Sequence, residues 1–322
     1  MRFVVHGVGA IGGTVAAALA LTGQDVVGIA RGRQLEAIRG NGLHLRTPDG
    51  DAVARFECAA APEEIAFGPD DVILLATKTQ DTETALEQLR IAGVADQPIF
   101  CAQNGVENER LALRRFPNVH GVNVMLPAEY TVPGEVAAFG TPNHGIFDIG
   151  RYPNGADDTD TAVAEALTKA KVATTVMTNV MHSKYGKLIL NLGNIVEAAL
   201  GASPDNAPIT SALRAEGETV LTAAGIAWQD VGLNDPRRGT VMSMGTIPGM
   251  TRIGSSSTQS LVRGAGSIET DYLNGEIALL ARQTGVAAPL NEWFARHAFT
   301  WARTGIAHGS ISRDEVKATL GL

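Results

Sequence analysis

The chain has 322 residues, 45% of them hydrophobic and 19% charged, with a formal net charge of −8. That length allows two domains with sizeable cores, and the acidic balance without a basic run argues against nucleic acid or an anionic membrane as a partner. Only Cys58 and Cys101 occur, neither in a Cys-x-x-Cys, and the seven histidines form no His-x-x-x-His pair, so neither a disulfide framework nor a metal site is expected.

Phe3-Val4-Val5-His6 reads as a short buried strand. It runs into Gly7-Val8-Gly9-Ala10-Ile11-Gly12 and then an Ala-rich helix to about Leu21. In such a Gly-x-Gly-x-x-Gly turn, Gly7 allows the tight turn and Gly9 lets the backbone approach a pyrophosphate. Gly12 lets the helix lie close on the strand. Phosphates then meet free N–H groups around Ala10 and Ile11 and the positive end of the helix dipole. A second apolar run, Asp25 to Ala30, completes a β-α-β unit, so a dinucleotide is the expected ligand. The stretch from Phe3 to Gln24 lacks charge (His6 aside) and mimics a secretory leader. Five glycines and His6 interrupt it, and its removal would delete the first strand, so neither a leader nor a membrane span is expected.

At the end of the second strand an NAD site places a carboxylate against the ribose. Here Ala30 is followed by Arg31-Gly32-Arg33. A guanidinium pairs with phosphate through two parallel charge-assisted bonds, so NADP(H) is expected over NAD(H), with Arg31 as the clamp. Arg33 reads as readily as a solvated residue of the next helix. That helix should end near Arg39. Leu43–Arg46 and Ala52–Cys58 then flank the turn signal Thr47-Pro48-Asp49-Gly50-Asp51, which predicts a hairpin inserted in the nucleotide domain.

Asp71 to Lys78 is a buried type of strand ending in a cation, and Gln80 to Arg90 is helical. Pro98 to Gly105 gives another strand ending in Gln103-Asn104-Gly105, with a helix from about Glu107. Strands alternating with helices predict a parallel, doubly wound, Rossmann-type α/β sheet. Ligands of such sheets lie outside the carboxyl ends of the strands, where Gly7–Gly12, Arg31, Lys78 and Asn104 all fall. From Val119 to Ile149 short runs suggest antiparallel strands extending the sheet. A helix near Thr161–Lys171 and a strand at Ala173–Met177 should close a first domain of residues 1–177.

Residues 178–322 read as an all-α domain. Its first helix is expected over Met181–Leu200, with Lys187, Asn191 and Asn194 at i, i+4 and i+7 on one face. The neighbours Leu188, Ile189, Leu190, Leu192, Ile195 and Val196 make that helix mostly buried, so its polar groups need partners, and bound substrate could supply them. Lys184 shares the face and is the rival lysine. The plainer alternative has Lys187 reaching water and the amides capping neighbouring helices. Leu233–Ser257, rich in Gly, Pro, Met and Ser, reads as a mobile cover over the site or as a linker. Ser255–Gln259 opens a helix, Ser267–Glu276 begins another, and Trp293–Thr304 and Arg313–Leu320 close the chain.

Together these motifs resemble the ketopantoate reductase (2-dehydropantoate 2-reductase) family over nearly the whole length. The resemblance rests on the glycine turn with Arg31, on Lys78, on Gln103-Asn104-Gly105 and on Lys187-x-x-x-Asn191. It extends to Ser257-x-Gln259 and Glu269-x-Asp271-Tyr272-x-Asn274-Gly275. It implies a cytoplasmic NADPH-dependent enzyme that reduces a 2-oxo acid, the family's own reaction belonging to pantothenate biosynthesis. It also implies roles. Lys187 would be the general acid, and Glu269 would hold that lysine and the substrate oxygen. Asn191 and Ser257 would bind the substrate's hydroxyl and carboxylate, with Asn194 grouped beside them from its helix face. Lys78 and Asn104 would lie on the nicotinamide side. A homodimer is the assembly to test for.

Three departures stand on the substrate side. No proline follows Asn194, Ser260 stands where an Asp often follows the Gln, and Leu233–Ser256 is Met- and Gly-rich. The reaction type is therefore better supported than the identity of the 2-oxo acid. The alternatives are a β-hydroxyacid, opine or polyol-phosphate dehydrogenase on the same two-domain plan, or a protein that senses NADP(H) without turnover.

Overall fold

The computed structural model describes every residue except Leu233, Ala265 and Leu322. Its first elements are β1 (Arg2–His6), α1 (Ala10–Leu21), β2 (Asp25–Ile29), α2 (Gly32–Asn41), β3 (Leu43–Thr47), β4 (Gly50–Ala54) and β5 (Glu57–Ala59). Then come β6 (Asp71–Leu75), α3 (Thr82–Ile91), β7 (Ile99–Cys101), α4 (Asn108–Leu113), β8 (Val119–Met125), β9 (Ala128–Tyr130) and β10 (Glu135–Ala138). β11 (Gly140–Pro142), β12 (Gly145–Arg151), α5 (Asp158–Lys169) and β13 (Val172–Val176) follow. The rest is α6 (Val180–Asn191), α7 (Asn194–Leu200), α8 (Ala207–Ala223), β14 (Met242–Met244), α9 (Ser256–Val262), α10 (Asn274–Thr284), α11 (Pro289–Thr304) and α12 (Arg313–Leu320). The chain forms two compact units, Met1–Lys184 with Leu233–Thr251, and Tyr185–Gly232 with Arg252–Leu322.

The first unit is built on an eight-stranded sheet in the order β13-β12-β8-β7-β6-β1-β2-β5. All its pairs are parallel except β8 with β12. β6 is apolar after Asp71 and buried throughout, because a parallel sheet is covered on both faces. On one face Phe3, Val5, Leu74, Phe100 and Phe147 pack with Val15 and Leu19 of α1 and Val163 and Leu167 of α5. On the other, Val4, Ile73, Leu75 and Ile99 pack with Leu86 and Leu89 of α3 and Ala112 of α4. Each such fully buried large side chain contributes about 1.5–3 kcal/mol of transfer free energy.

Three expectations need correction here. The hairpin forms, with β3 antiparallel to β4, but it stops at Ala54. Glu57–Ala59 is a separate strand that pairs with β2 at the edge of the main sheet. The hairpin also leaves that sheet for a second one, β4-β3-β10-β9, so only β8 and β12 of the Val119–Ile149 region extend the first. The reason is α1, which needs cover on its outer side. A Cβ on Gly13 would lie 3.0 Å from Val136 of β10 and 3.4 Å from Leu43 of β3.

The segment expected as a cover or linker is fastened to the first unit over residues 234–251; Leu233 itself lies outside the described residues. β14 within it pairs antiparallel with β11. Arg237 donates to both oxygens of fully buried Asp148 on β12 and to Asp235. Ile247 is buried against Ala137 and Phe139. A strand therefore does occur after residue 179, and it belongs to the first unit.

The second unit is helical. The helix expected over Met181–Leu200 breaks into α6 and α7 at Leu192-Gly193, so Asn194 starts a new helix and does not continue the face of Lys187 and Asn191. Gly193 fits where a Cβ would lie 2.7 Å from Thr210 of α8. The break leaves the Leu192 carbonyl for the buried Asn274 amide, which donates to it at 3.1 Å. No helix among the described residues is long and apolar enough to cross a membrane.

Candidate active site

The glycine turn joins β1 to α1 at the carboxyl edge of the main sheet. Gly7 has φ +106°, and a Cβ there would lie 2.9 Å from the Ala76 backbone just beyond β6. A Cβ on Gly12 would lie 2.2 Å from the Gly7 carbonyl oxygen, so the helix can approach the strand only with glycine there. Gly9 differs. Nothing lies within 4 Å of a Cβ built on it, so that side of the turn is an open cradle. The Gly9 carbonyl accepts from the Gly13 N–H. By helix geometry the N–H groups of Ala10, Ile11 and Gly12 point out of the helix end, as an anion requires. These residues fit a dinucleotide pyrophosphate.

The turn has a brace that sequence reasoning missed. Gln34, buried on α2, donates to the Val8 carbonyl at 3.0 Å and accepts from the Gly134 N–H at 2.7 Å. Nothing near Gln34 in the sequence marks it, because its partners are distant. Arg31 is the exposed N-cap residue of α2. Its charge is felt at His6, the last residue of β1. Burial, and after it the Arg31 guanidinium, hold the His6 imidazole down to about 4. Arg31 and Arg33 are both exposed, and no carboxylate follows β2 before them.

Lys78 and Asn104 lie beyond the ends of β6 and β7, and the structure joins their segments. The Thr79 hydroxyl, next to Lys78, donates to the Asn104 carbonyl at 3.4 Å. The first-unit residues of the expected site thus share one edge of one sheet.

The two lysines of α6 part company. Lys184 is buried, and its ammonium donates to the carbonyls of Gln103 (3.0 Å) and Cys101 (3.4 Å) and to the Glu109 carboxylate. An ammonium has three protons, and all are spent in these contacts. Burial pushes the Glu109 carboxyl up against the opposing pull of Lys184, and burial likewise raises the Cys101 thiol. Lys187, one turn later, is only partly buried.

In the second unit Asn191, Ser257 and Glu269 are buried, and Asn194 is partly so. Bonds of their neighbours bring their segments together. Ser255, the N-cap of α9, donates to the Asn194 carbonyl at 3.2 Å. Glu197 of α7 accepts from the Ser255 N–H and the Thr258 hydroxyl, which fixes the turn carrying Ser257. Glu269 opens the short turn that leads to Asn274, whose amide holds the residue after Asn191. Glu197 and Asn274 were not singled out as positioning residues in the sequence.

His120, Asp157 and Asp160 place potential ligand atoms within 4.8 Å of one another. They form the N-terminal cap of α5 instead. Asp157 accepts from the N–H groups of Thr159 and Asp160 and from Arg151, and His120 bonds Asp160 and Asn118.

Comparison with known proteins bears on the family and the fold. The model of the ketopantoate reductase PanE/ApbA family matches residues 3–154, and its C-terminal counterpart matches 172–298. A 2-dehydropantoate 2-reductase of Pyrococcus horikoshii is 30% identical over 315 residues, covering 96% of this chain and all of that protein. The crystal structure of a PanE/ApbA family ketopantoate reductase from Ralstonia eutropha JMP134 matches with TM-score 0.77 at 26% identity, over 95% of this chain and 99% of that one. A D-mandelate dehydrogenase solved with NADH and anilino(oxo)acetate matches with TM-score 0.79, over 95% of this chain and 99% of that one. Its 21% identity makes this a likeness of fold.

Proposed function

The chain belongs to the ketopantoate reductase PanE/ApbA family, and from that membership we propose that it reduces a 2-oxo acid to a 2-hydroxy acid with NADPH, 2-dehydropantoate being the first substrate to test. The observation that carries the cofactor half is the open cradle at Gly9 on the carboxyl edge of the sheet, with Arg31 where an NAD site keeps a carboxylate.

Bound NADPH supplies the hydride. The chain's own residues bind, orient and move a proton. Gly7, Gly9, Ala10, Ile11 and Gly12 receive the pyrophosphate and Arg31 the 2′-phosphate, while Lys78 and Asn104 border the nicotinamide. The Lys187 ammonium gives its proton to the carbonyl oxygen as negative charge grows there. Glu269 holds that ammonium in place. Asn191 and Ser257 bind the hydroxyl and carboxylate of the substrate; Asn194, off the shared face, is not assigned that role. The spent protons of Lys184 support Lys187 as the acid. We place the protein in the cytoplasm, a reading supported by two buried free cysteines.

A panel of 2-oxo acids with 2-dehydropantoate included, followed by NADPH absorbance, tests the proposal. Turnover of at least one 2-oxo acid is expected. NADPH binding without oxidation by any of them would leave a cofactor sensor instead.

A further inference from the structure

The loops after β6 and β7 are tied by one side chain. Asn108, in the first turn of α4, is fully buried. Its Oδ1 accepts from the Thr82 hydroxyl at 2.7 Å. Its Nδ2 donates to the Thr79 hydroxyl at 3.2 Å and to the Asn104 carbonyl at 3.1 Å. The Gln103 amide adds a bond to the Thr82 hydroxyl at 2.9 Å. One amide therefore holds residues 79–82, residues 103–104 and the start of α4 in a single register. Lys184 grips the same strand end through the Gln103 carbonyl.

Resting on the reading that Asn104 borders the nicotinamide, we propose that Asn108 is a positioning residue that acts through Asn104. Asn104 is followed by Gly105 at φ +79°, a conformation that other residues rarely adopt. Without Asn108 the Asn104 carbonyl loses a donor and the Thr82 hydroxyl an acceptor, and the strand end is less firmly held. Displacements on the order of 1 Å at a reacting centre cost up to about 10²-fold in rate. The pyrophosphate cradle, built on β1 and α1, does not depend on Asn108.

The test is a double-mutant cycle in the full-length protein. Asn108→Ala, Asn104→Ala and the double variant are compared by kcat with 2-dehydropantoate and by NADPH Kd. Asn108→Ala should lower kcat by about 10- to 100-fold and change NADPH Kd by less than about 3-fold. The double variant should be no slower than Asn104→Ala alone, because a residue acting through another adds nothing once that other is gone. Losses that multiply would assign Asn108 a separate structural role and overturn the proposal while leaving the role of Asn104 intact. An Asn104→Ala variant with unchanged kcat would remove the underlying reading and the proposal with it. If Asn108→Ala does not fold, Thr79→Val breaks the same tie at its other end. It should show a smaller loss, again absent when Asn104 is already alanine, and multiplying losses there would equally overturn the proposal.

Discussion

Gly9→Ala and Gly12→Ala separate the two jobs of the glycine turn. Gly9 has φ −97°, so alanine meets no left-handed penalty, and its methyl has no protein atom within 4 Å. Losing glycine also lowers the entropy of the unfolded chain, an effect of about 0.4–1 kcal/mol in favour of folding. Stability should thus stay within about 1 kcal/mol of the parent. The methyl instead fills the space assigned to pyrophosphate. Overpacking a fitted contact costs about 1–3 kcal/mol, which is roughly 5- to 150-fold in NADPH Kd.

Gly12→Ala inverts the pattern. Its methyl would lie 2.2 Å from a backbone oxygen and 2.9 Å from the Ala76 Cβ, and neither can swing aside. A loss of about 3 kcal/mol or more is expected, or about 6–12 °C in Tm for a unit of roughly 200 residues. Thermal unfolding and a fluorescence titration with NADPH read both variants. Parental NADPH affinity in Gly9→Ala would refute the cradle. A parental Tm in Gly12→Ala would refute the close helix–strand approach.

Arg31→Ala should weaken NADPH by about 10- to 100-fold, the worth of a charge-assisted pair of about 1.5–3 kcal/mol, and leave NADH almost unchanged; equal losses for both would remove the phosphate clamp. Lys187→Ala should lower kcat on the order of 10²-fold or more with NADPH affinity and Tm retained. Lys184→Ala should do the reverse to stability, leaving the buried Glu109 charge unpaired at about 3–5 kcal/mol, visible as a large fall in Tm. Gln34→Leu strands the Val8 carbonyl and the Gly134 N–H and should cost about 1–3 kcal/mol in urea unfolding. His6 sets a pH dependence. Its folded value of about 4 lies below the ordinary 6.5, so the fold holds it neutral. Its contribution is complete above pH 6.5 and is lost as pH falls towards 4, at about 1.4 kcal/mol per unit, hence about 2 kcal/mol at pH 5. His6→Leu should flatten that slope in urea titrations between pH 7 and 5, and an unchanged slope would clear His6 of the effect.

What could be read from the sequence is what local sterics decide. The glycine turn, the apolar strands Phe3–His6 and Asp71–Leu75, and the alternation of strand and helix follow from neighbours a few positions apart. Their placement on one sheet edge then follows from topology alone. Partners chosen at long range could not be read. Whether β3 and β4 join the first sheet or a second one depends on β10, some ninety positions away, and on a face of α1 that needs covering. The break at Leu192-Gly193 is hidden inside an apolar run, and what makes it tolerable is the Asn274 amide, 82 positions on from the Leu192 carbonyl it holds. Residues 234–251 have the composition of a flexible segment. Their anchors are distant, among them the pairing of β14 with β11 and the Arg237 guanidinium on a carboxylate 89 positions back, so composition misleads.

The two lysines of α6 show where periodicity ends and chemistry begins. Lys184 and Lys187 lie one turn apart, and spacing treats them alike. They differ in exposure. The Lys184 ammonium meets two carbonyls and a carboxylate, all buried, so each of its protons already sits in a hydrogen bond. A general acid needs a proton that the reaction can take and water can restore, which argues against buried Lys184 and for partly exposed Lys187, the assignment that the Lys187→Ala variant tests. The buried pair also has a use beyond stability, since Lys184 and Asn108 grip the same strand end from different elements. A site that must place a ring to within a fraction of an ångström needs its loops fixed by more than one such tie. Three buried polar side chains, Asn108, Glu109 and Lys184, accordingly meet at the strand end that carries Asn104.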